Sequence, residues 1–111
     1  MTATATVTRE KTWQDLIAIV DIDPGDVTPV TLGSRELAVF DADDGVFVSM
    51  ARCTHGAADL CDGYFDGTRI ECPLHQGLFD VRTGAALASP ARVSLRMLES
   101  RVVNGTVQVL I

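Results

Sequence analysis

Apolar residues in this chain recur at every second position over short stretches, and turn-forming residues separate the stretches. Val46, Val48 and Met50 share one face, as do Leu37 and Val39. Val93, Leu95 and Met97 alternate with Ser94 and Arg96, and Val107, Val109 and Ile111 alternate with Thr106, Gln108 and Leu110. A period of two is that of a β-strand, whose side chains point to opposite faces in turn. The punctuation is Asp23-Pro24-Gly25-Asp26, Gly33-Ser34, Asp43-Asp44-Gly45, Asp62-Gly63, Asp66-Gly67, Thr83-Gly84 and Asn104-Gly105. Gly-Ser and Asn-Gly between apolar runs predict tight hairpins, because both tolerate the positive φ that such turns require. Over residues 12–20, Leu16, Ile17, Ile19 and Val20 fit a buried strand or a helical turn almost equally well. We read the first part as a strand, with a short turn near Asp21-Ile22-Asp23. The Thr- and Ala-rich start reads as a frayed terminus or an edge strand. With no internal repeat and no long linker, the pattern predicts a single all-β domain over residues 1–111, built from antiparallel hairpins.

Composition narrows the partners. Acidic residues outnumber basic ones 15 to 9, for a net charge of −6. That sign argues against nucleic acid or an anionic membrane surface and favours a partner carrying a basic patch. The start lacks the basic and apolar regions of a signal peptide. No run approaches the roughly 18 apolar residues of a membrane span. These features lead us to expect a cytoplasmic protein. The 3 cysteines make an odd count, a poor start for a disulfide framework.

The candidate chemistry lies in two short segments, Cys53-Thr54-His55 and Cys72-Pro73-Leu74-His75. Each offers one soft thiolate and one imidazole, and each follows a strand-like run, where loops on a rigid scaffold can position chemistry. The whole chain has 2 histidines, and each falls two or three positions after a cysteine. Cys53, His55, Cys72 and His75 therefore read as a metal-ligand set. Two sulfurs and two nitrogens suit a Rieske-type [2Fe–2S] cluster, with cysteines on one iron and histidines on the other. They also suit tetrahedral zinc, although a single residue between Cys53 and His55 is shorter than the usual zinc-finger pairing. Cys61 remains as a small, semi-buried apolar side chain.

The flanking residues resemble a known family. Cys53-Thr54-His55-Gly56 and Cys72-Pro73-Leu74-His75-Gln76-Gly77-Leu78-Phe79-Asp80 resemble the two cluster loops of Rieske ferredoxins. The run from Asp62-Gly63-Tyr64 to Phe79-Asp80-Val81-Arg82-Thr83-Gly84 is similar to the ferredoxin components of bacterial aromatic-ring-hydroxylating dioxygenases of the naphthalene and biphenyl type. The resemblance implies the Rieske fold, an antiparallel-sheet base with an inserted, smaller cluster-binding subdomain, here approximately residues 52–85. It implies one [2Fe–2S] cluster per chain and no catalytic site of its own. It also implies a third, proline-containing loop over the cluster, matched by Ser89-Pro90-Ala91.

By the same resemblance the chain is a monomeric one-electron carrier. It takes electrons from a flavin-containing, NAD(P)H-dependent reductase and gives them to a terminal ring-hydroxylating oxygenase in aromatic-compound catabolism. Both imidazoles would lie at an exposed tip. Asp59, Asp62 and Asp66 would then offer an acidic face to partners, each also readable as a solvated turn carboxylate, while Arg52 and Arg69 offset local charge. Rival readings are a Rieske subunit fixed in an enzyme such as a nitrite reductase, and a zinc-stabilised binding module. High-potential relatives carry an extra disulfide and hydroxyl donors to sulfur. Here Leu74 stands at the extra cysteine, and Gly77 and Phe79 replace the serine and tyrosine. The implied potential is near the low end of the Rieske range of roughly −150 to +300 mV.

Overall fold

The computed structural model describes residues 10–54, 58–74, 76–89 and 91–111. The Thr- and Ala-rich start lies outside the described residues. Among the described residues, eleven antiparallel strands form three sheets. The first joins β1 (Trp13–Ala18), β11 (Thr106–Leu110) and β10 (Ser100–Val103), in that order. The second joins β2 (Val27–Leu32), β3 (Arg35–Ala42), β4 (Gly45–Met50) and β9 (Met97–Leu98). The third, small sheet joins β5 (Tyr64–Phe65), β6 (Arg69–Glu71), β7 (Leu78–Asp80) and β8 (Ala86–Ala88). All four strands of the small sheet fall between β4 and β9 in the chain, yet β9 returns to pair with β4, Val48 opposite Leu98. The small sheet is thus an insertion hung from the edge of the second.

The hairpin turns follow their residues. Gly33-Ser34 joins β2 to β3 with φ +62° at Gly33. Asn104 (φ +51°) and Gly105 (φ +77°) join β10 to β11. Two consecutive positive φ values make the second a type I′ turn, whose twist matches that of the strands it connects.

Packing explains why β3 reads as an almost continuous apolar run. Leu37 and Val39 face one core, with Ile22, Val48, Val107 and Val109. Ala38, Phe40 and Ala42 face another, which they share with Leu60, Ile70, Phe79, Val81, Cys53 and Cys72. Alternation gives only the Leu37–Val39 face. A strand in the middle of three layers has no solvent side, so both sets are buried. Across the outer sheet, Arg101 donates to Gln108 (2.8 Å), which donates to Asp15 (2.7 Å), and the Arg101 guanidinium covers the Trp13 ring at 4.0 Å. These exposed contacts add about 0.5–1 kcal/mol at most for the cation–π pair.

Two expectations need correction. Residues 93–97 do not form a strand; only Met97–Leu98 does. Leu95 is buried, but its N–H donates to the Gly84 carbonyl (2.7 Å), and the Arg96 carbonyl accepts from Met50 (2.9 Å). Partners drawn from two different segments hold this stretch, so no continuous ladder forms. The first part of residues 12–20 is the expected strand, β1, but the short turn after it falls at Ile19–Asp21 rather than near Asp21-Ile22-Asp23, with Val20 88% exposed. The turn comes earlier than expected because the Ile19 N–H is taken by the Gly105 carbonyl (2.8 Å) just past the end of β1.

Candidate metal centre

Two loops of similar closure bring Cys53 and Cys72 together. The Cys53 N–H donates to the Ala58 carbonyl (2.9 Å), and the Cys72 N–H donates to the Gly77 carbonyl (2.7 Å). Each cysteine is thereby fixed at the neck of a loop that rejoins its own strand five residues on. The first neck is extended by an Arg52–Asp59 bridge and a Leu60 N–H bond to the Ala51 carbonyl (2.8 Å). The second neck opens from the β6–β7 hairpin, where Glu71 pairs with Leu78. In the second loop Gln76 sits at φ +60°, a left-handed conformation that non-glycine residues adopt at a cost, and one often met where a loop is built for a ligand.

Cys53 is 3% exposed and Cys72 fully buried, both as thiols in the core between the second sheet and the small sheet. Burial pushes the Cys72 thiol well above its ordinary value. The Leu74 N–H, pointing at its sulfur, partly offsets this, and a hydrogen bond and the charge of Cys53 push it further up. Adjacent buried sulfurs resist ionisation unless a positive centre lies in contact with them. No lysine or arginine is among the groups acting on Cys72. A metal core would supply that charge, so the donor chemistry fits an iron–sulfur centre. His55 and His75 lie outside the described residues, as does Pro90. In sequence each histidine falls within one of the two loops.

The remaining residues singled out in the sequence divide clearly. Asp59 accepts from the Cys61 N–H (2.8 Å), opening a 3-10 turn over Leu60–Asp62. Asp66 accepts from the N–H groups of Thr68 (3.0 Å) and Arg69 (2.7 Å) and pairs with the Arg69 guanidinium (3.0 Å). Those two N–H groups, with Arg69 behind them, hold the Asp66 carboxyl down to about 2. Two of the three acidic residues therefore serve their own turns, and Asp62 alone of the three is exposed without such a side-chain bond among the described contacts. Cys61 is half-buried, and burial, then the neighbouring Asp59, push its thiol up to about 12. It stays protonated and unreactive at neutral pH. A contact missed in the sequence is Thr54, whose hydroxyl donates to the Val93 carbonyl (2.7 Å). No spacing rule links residues so far apart in the chain.

The Rieske [2Fe-2S] domain family matches residues 12–99, the stretch that carries both cysteine loops, the whole second sheet and the small sheet. The chain belongs to the Rieske family. As a Rieske domain it takes a Rieske-type [2Fe–2S] cluster as cofactor. The ferredoxin component of the naphthalene 1,2-dioxygenase system of Pseudomonas putida is 41% identical over 92 residues, 83% of this chain and 88% of that protein. The Sphingomonas yanoikuyae B1 ferredoxin superposes with a TM-score of 0.84 at 38% identity, covering 90% of this chain and 99% of that one. A chain from the complex of reduced oxygenase and oxidised ferredoxin in carbazole 1,9a-dioxygenase superposes with a TM-score of 0.80 at 39% identity, covering 88% of this chain and 92% of that one. The expected all-β Rieske architecture is therefore the one found. Among the described residues, no helix is long and apolar enough to cross a membrane.

Proposed function

We propose that this Rieske domain is the ferredoxin component of an aromatic-ring dioxygenase system. Cys53 and Cys72 hold one iron of the cluster, and His55 and His75 hold the other. When bound, such a cluster supplies a one-electron couple at a potential raised by its neutral imidazole ligands. The chain's own residues would bind it, and the burial of Cys53 and Cys72 would keep water from its sulfurs. The binding subdomain covers approximately residues 52–85 of one domain, 1–111, and Ser89-Pro90-Ala91 would be the counterpart of the family's third, proline-containing loop. Electrons come from a flavoprotein NAD(P)H-dependent reductase and pass to a terminal ring-hydroxylating oxygenase. The protein works as a soluble cytoplasmic monomer and catalyses nothing by itself.

The observation that carries this reading is the buried contact between Cys53 and Cys72, contributed by two loops closed in the same way. Identity near 40% to ferredoxin components supports a mobile carrier over a fixed enzyme subunit. Anaerobic purification should yield two irons and two acid-labile sulfides per chain, with a paramagnetic signal appearing on dithionite reduction. A monomer in solution should reduce a naphthalene-type oxygenase. Colourless protein holding one zinc ion would defeat the proposal.

The potential offers a second check. Phe79 is fully buried in the same core as both cysteines, and Gly77 is buried where its carbonyl closes the second loop. Neither can donate a side-chain hydrogen bond to sulfur. Donors favour the more negative, reduced form, so their absence keeps the potential low. Phe79→Tyr and Gly77→Ser should each raise the midpoint by about 60 mV, a tenfold change in a one-electron equilibrium. A redox titration showing no rise, or a fall, overturns this account.

A further inference from the structure

We propose that Thr54 is a positioning residue that clasps the segment 91–95 onto the first cysteine loop and so keeps water from the cluster. The inference rests on the cluster assignment proposed above. Thr54 directly follows Cys53, and its hydroxyl donates to the Val93 carbonyl at 2.7 Å. The segment is fixed on either side of that point. Ala91 is 7% exposed in the core shared with Cys53 and Cys72, and its N–H donates to the Ala88 carbonyl (3.0 Å). Leu95 is 5% exposed and donates to the Gly84 carbonyl (2.7 Å). Between these anchors Val93 is 63% exposed, so its side chain does little to hold the backbone down. The Thr54 hydroxyl supplies the hold there, through a bond that joins residues 39 positions apart.

Such a bond acts on the centre without touching it. Solvent access and local polarity around a metal site set both its potential and its lifetime. Opening the clasp admits water beside Cys53, and water favours the more negatively charged, reduced form. The midpoint potential therefore rises when the clasp is lost, and the cluster is lost faster.

The test compares Thr54→Val, Thr54→Ser and the unaltered holoprotein. Valine keeps the shape and removes the hydroxyl; serine keeps the hydroxyl and removes the methyl. The valine variant should show a higher midpoint potential. Its visible absorbance should decay about fivefold faster in the presence of an iron chelator, the factor expected from one lost hydrogen bond. The serine variant should match the unaltered protein in both measurements. Thr54→Ala replaces the valine variant if that one does not accumulate folded. An unchanged potential and decay rate in the hydroxyl-free variant overturns the clasp, as does a serine variant that behaves like it. Failure of the cluster assignment looks different: the unaltered protein then holds no iron and sulfide at all.

Discussion

Cys72→Ala is expected to abolish cluster binding altogether, with iron and acid-labile sulfide falling to background and the visible colour lost. The side chain is fully buried against Cys53, and Cys61 is not among the groups acting on it. The effect reaches beyond chemistry. A group bound by the folded chain and not by the unfolded one stabilises the fold by about 4 kcal/mol once it is present at a thousandfold over its dissociation constant. In a domain of this size that corresponds to a fall of about 15 °C or more in the midpoint of thermal unfolding. Cys61→Ala provides the control. Cys61 is half-buried beside Asp59 and Asp62, at the margin of the core that holds the other two thiols, and neither of those is among the groups acting on it. That variant should keep full iron and sulfide and lose about 1 kcal/mol of stability. Equal loss of iron in both variants, or retention in both, would sink the ligand assignment.

The tight turns were the most legible part of the sequence. Asn104-Gly105 and Gly33-Ser34 carry their conformation in their own residue types, and both form the hairpins expected of them. Alternation over Thr106–Leu110 survived intact because β11 is central in its own sheet and buries one face only, Val107 and Val109. Alternation was a poor guide in two places for opposite reasons. In β3 it hid a second buried face, since layers pack on both sides. In residues 93–96 it suggested a strand where the backbone bonds to Gly84 and Met50 instead. Periodicity reports which side chains are buried and is silent about which backbone groups pair.

The candidate centre was legible as a set of residue types and not as a mechanism of support. Cys53 and Cys72 stood out by their spacing to the two histidines, and the structure puts these cysteines side by side. The matched N–H to carbonyl closures that place them are backbone bonds, and the Thr54 hydroxyl bonds a backbone carbonyl far along the chain; no side-chain pattern announces either set of partners. Charge was the other weak guide. Asp59 and Asp66 are acidic in composition, yet each is spent on a turn of its own, so a count of carboxylates overstates the acidity offered to a partner.

Gly63→Ala is expected to destabilise the small sheet by about 3 kcal/mol, toward the upper end of the range for forced overpacking. The backbone there (φ −85°, ψ −171°) is open to any residue, so the cost is not conformational. It is steric: an added Cβ would overlap the Glu71 carbonyl oxygen and lie 3.0 Å from that of Leu60. Both obstacles are backbone atoms, which cannot swing aside as a side-chain end could. Gly63 precedes Tyr64, whose pairing with Glu71 starts the β5–β6 ladder, and Glu71 precedes Cys72. Relief of the overlap must therefore displace the strand that carries the buried thiol, and cluster loss to a chelator should quicken along with the fall in thermal stability. Gly105→Ala separates this from a general intolerance of alanine for glycine. Gly105 has φ +77° and nothing within 4 Å of an added Cβ, so the substitution strains only its own turn, at about 1 kcal/mol. Thermal unfolding and chelator-driven bleaching should both shift strongly for the first variant, while the second should shift unfolding slightly and bleaching not at all. Equal behaviour of the two would show that the packing of Gly63 against Glu71 does not govern the position of Cys72.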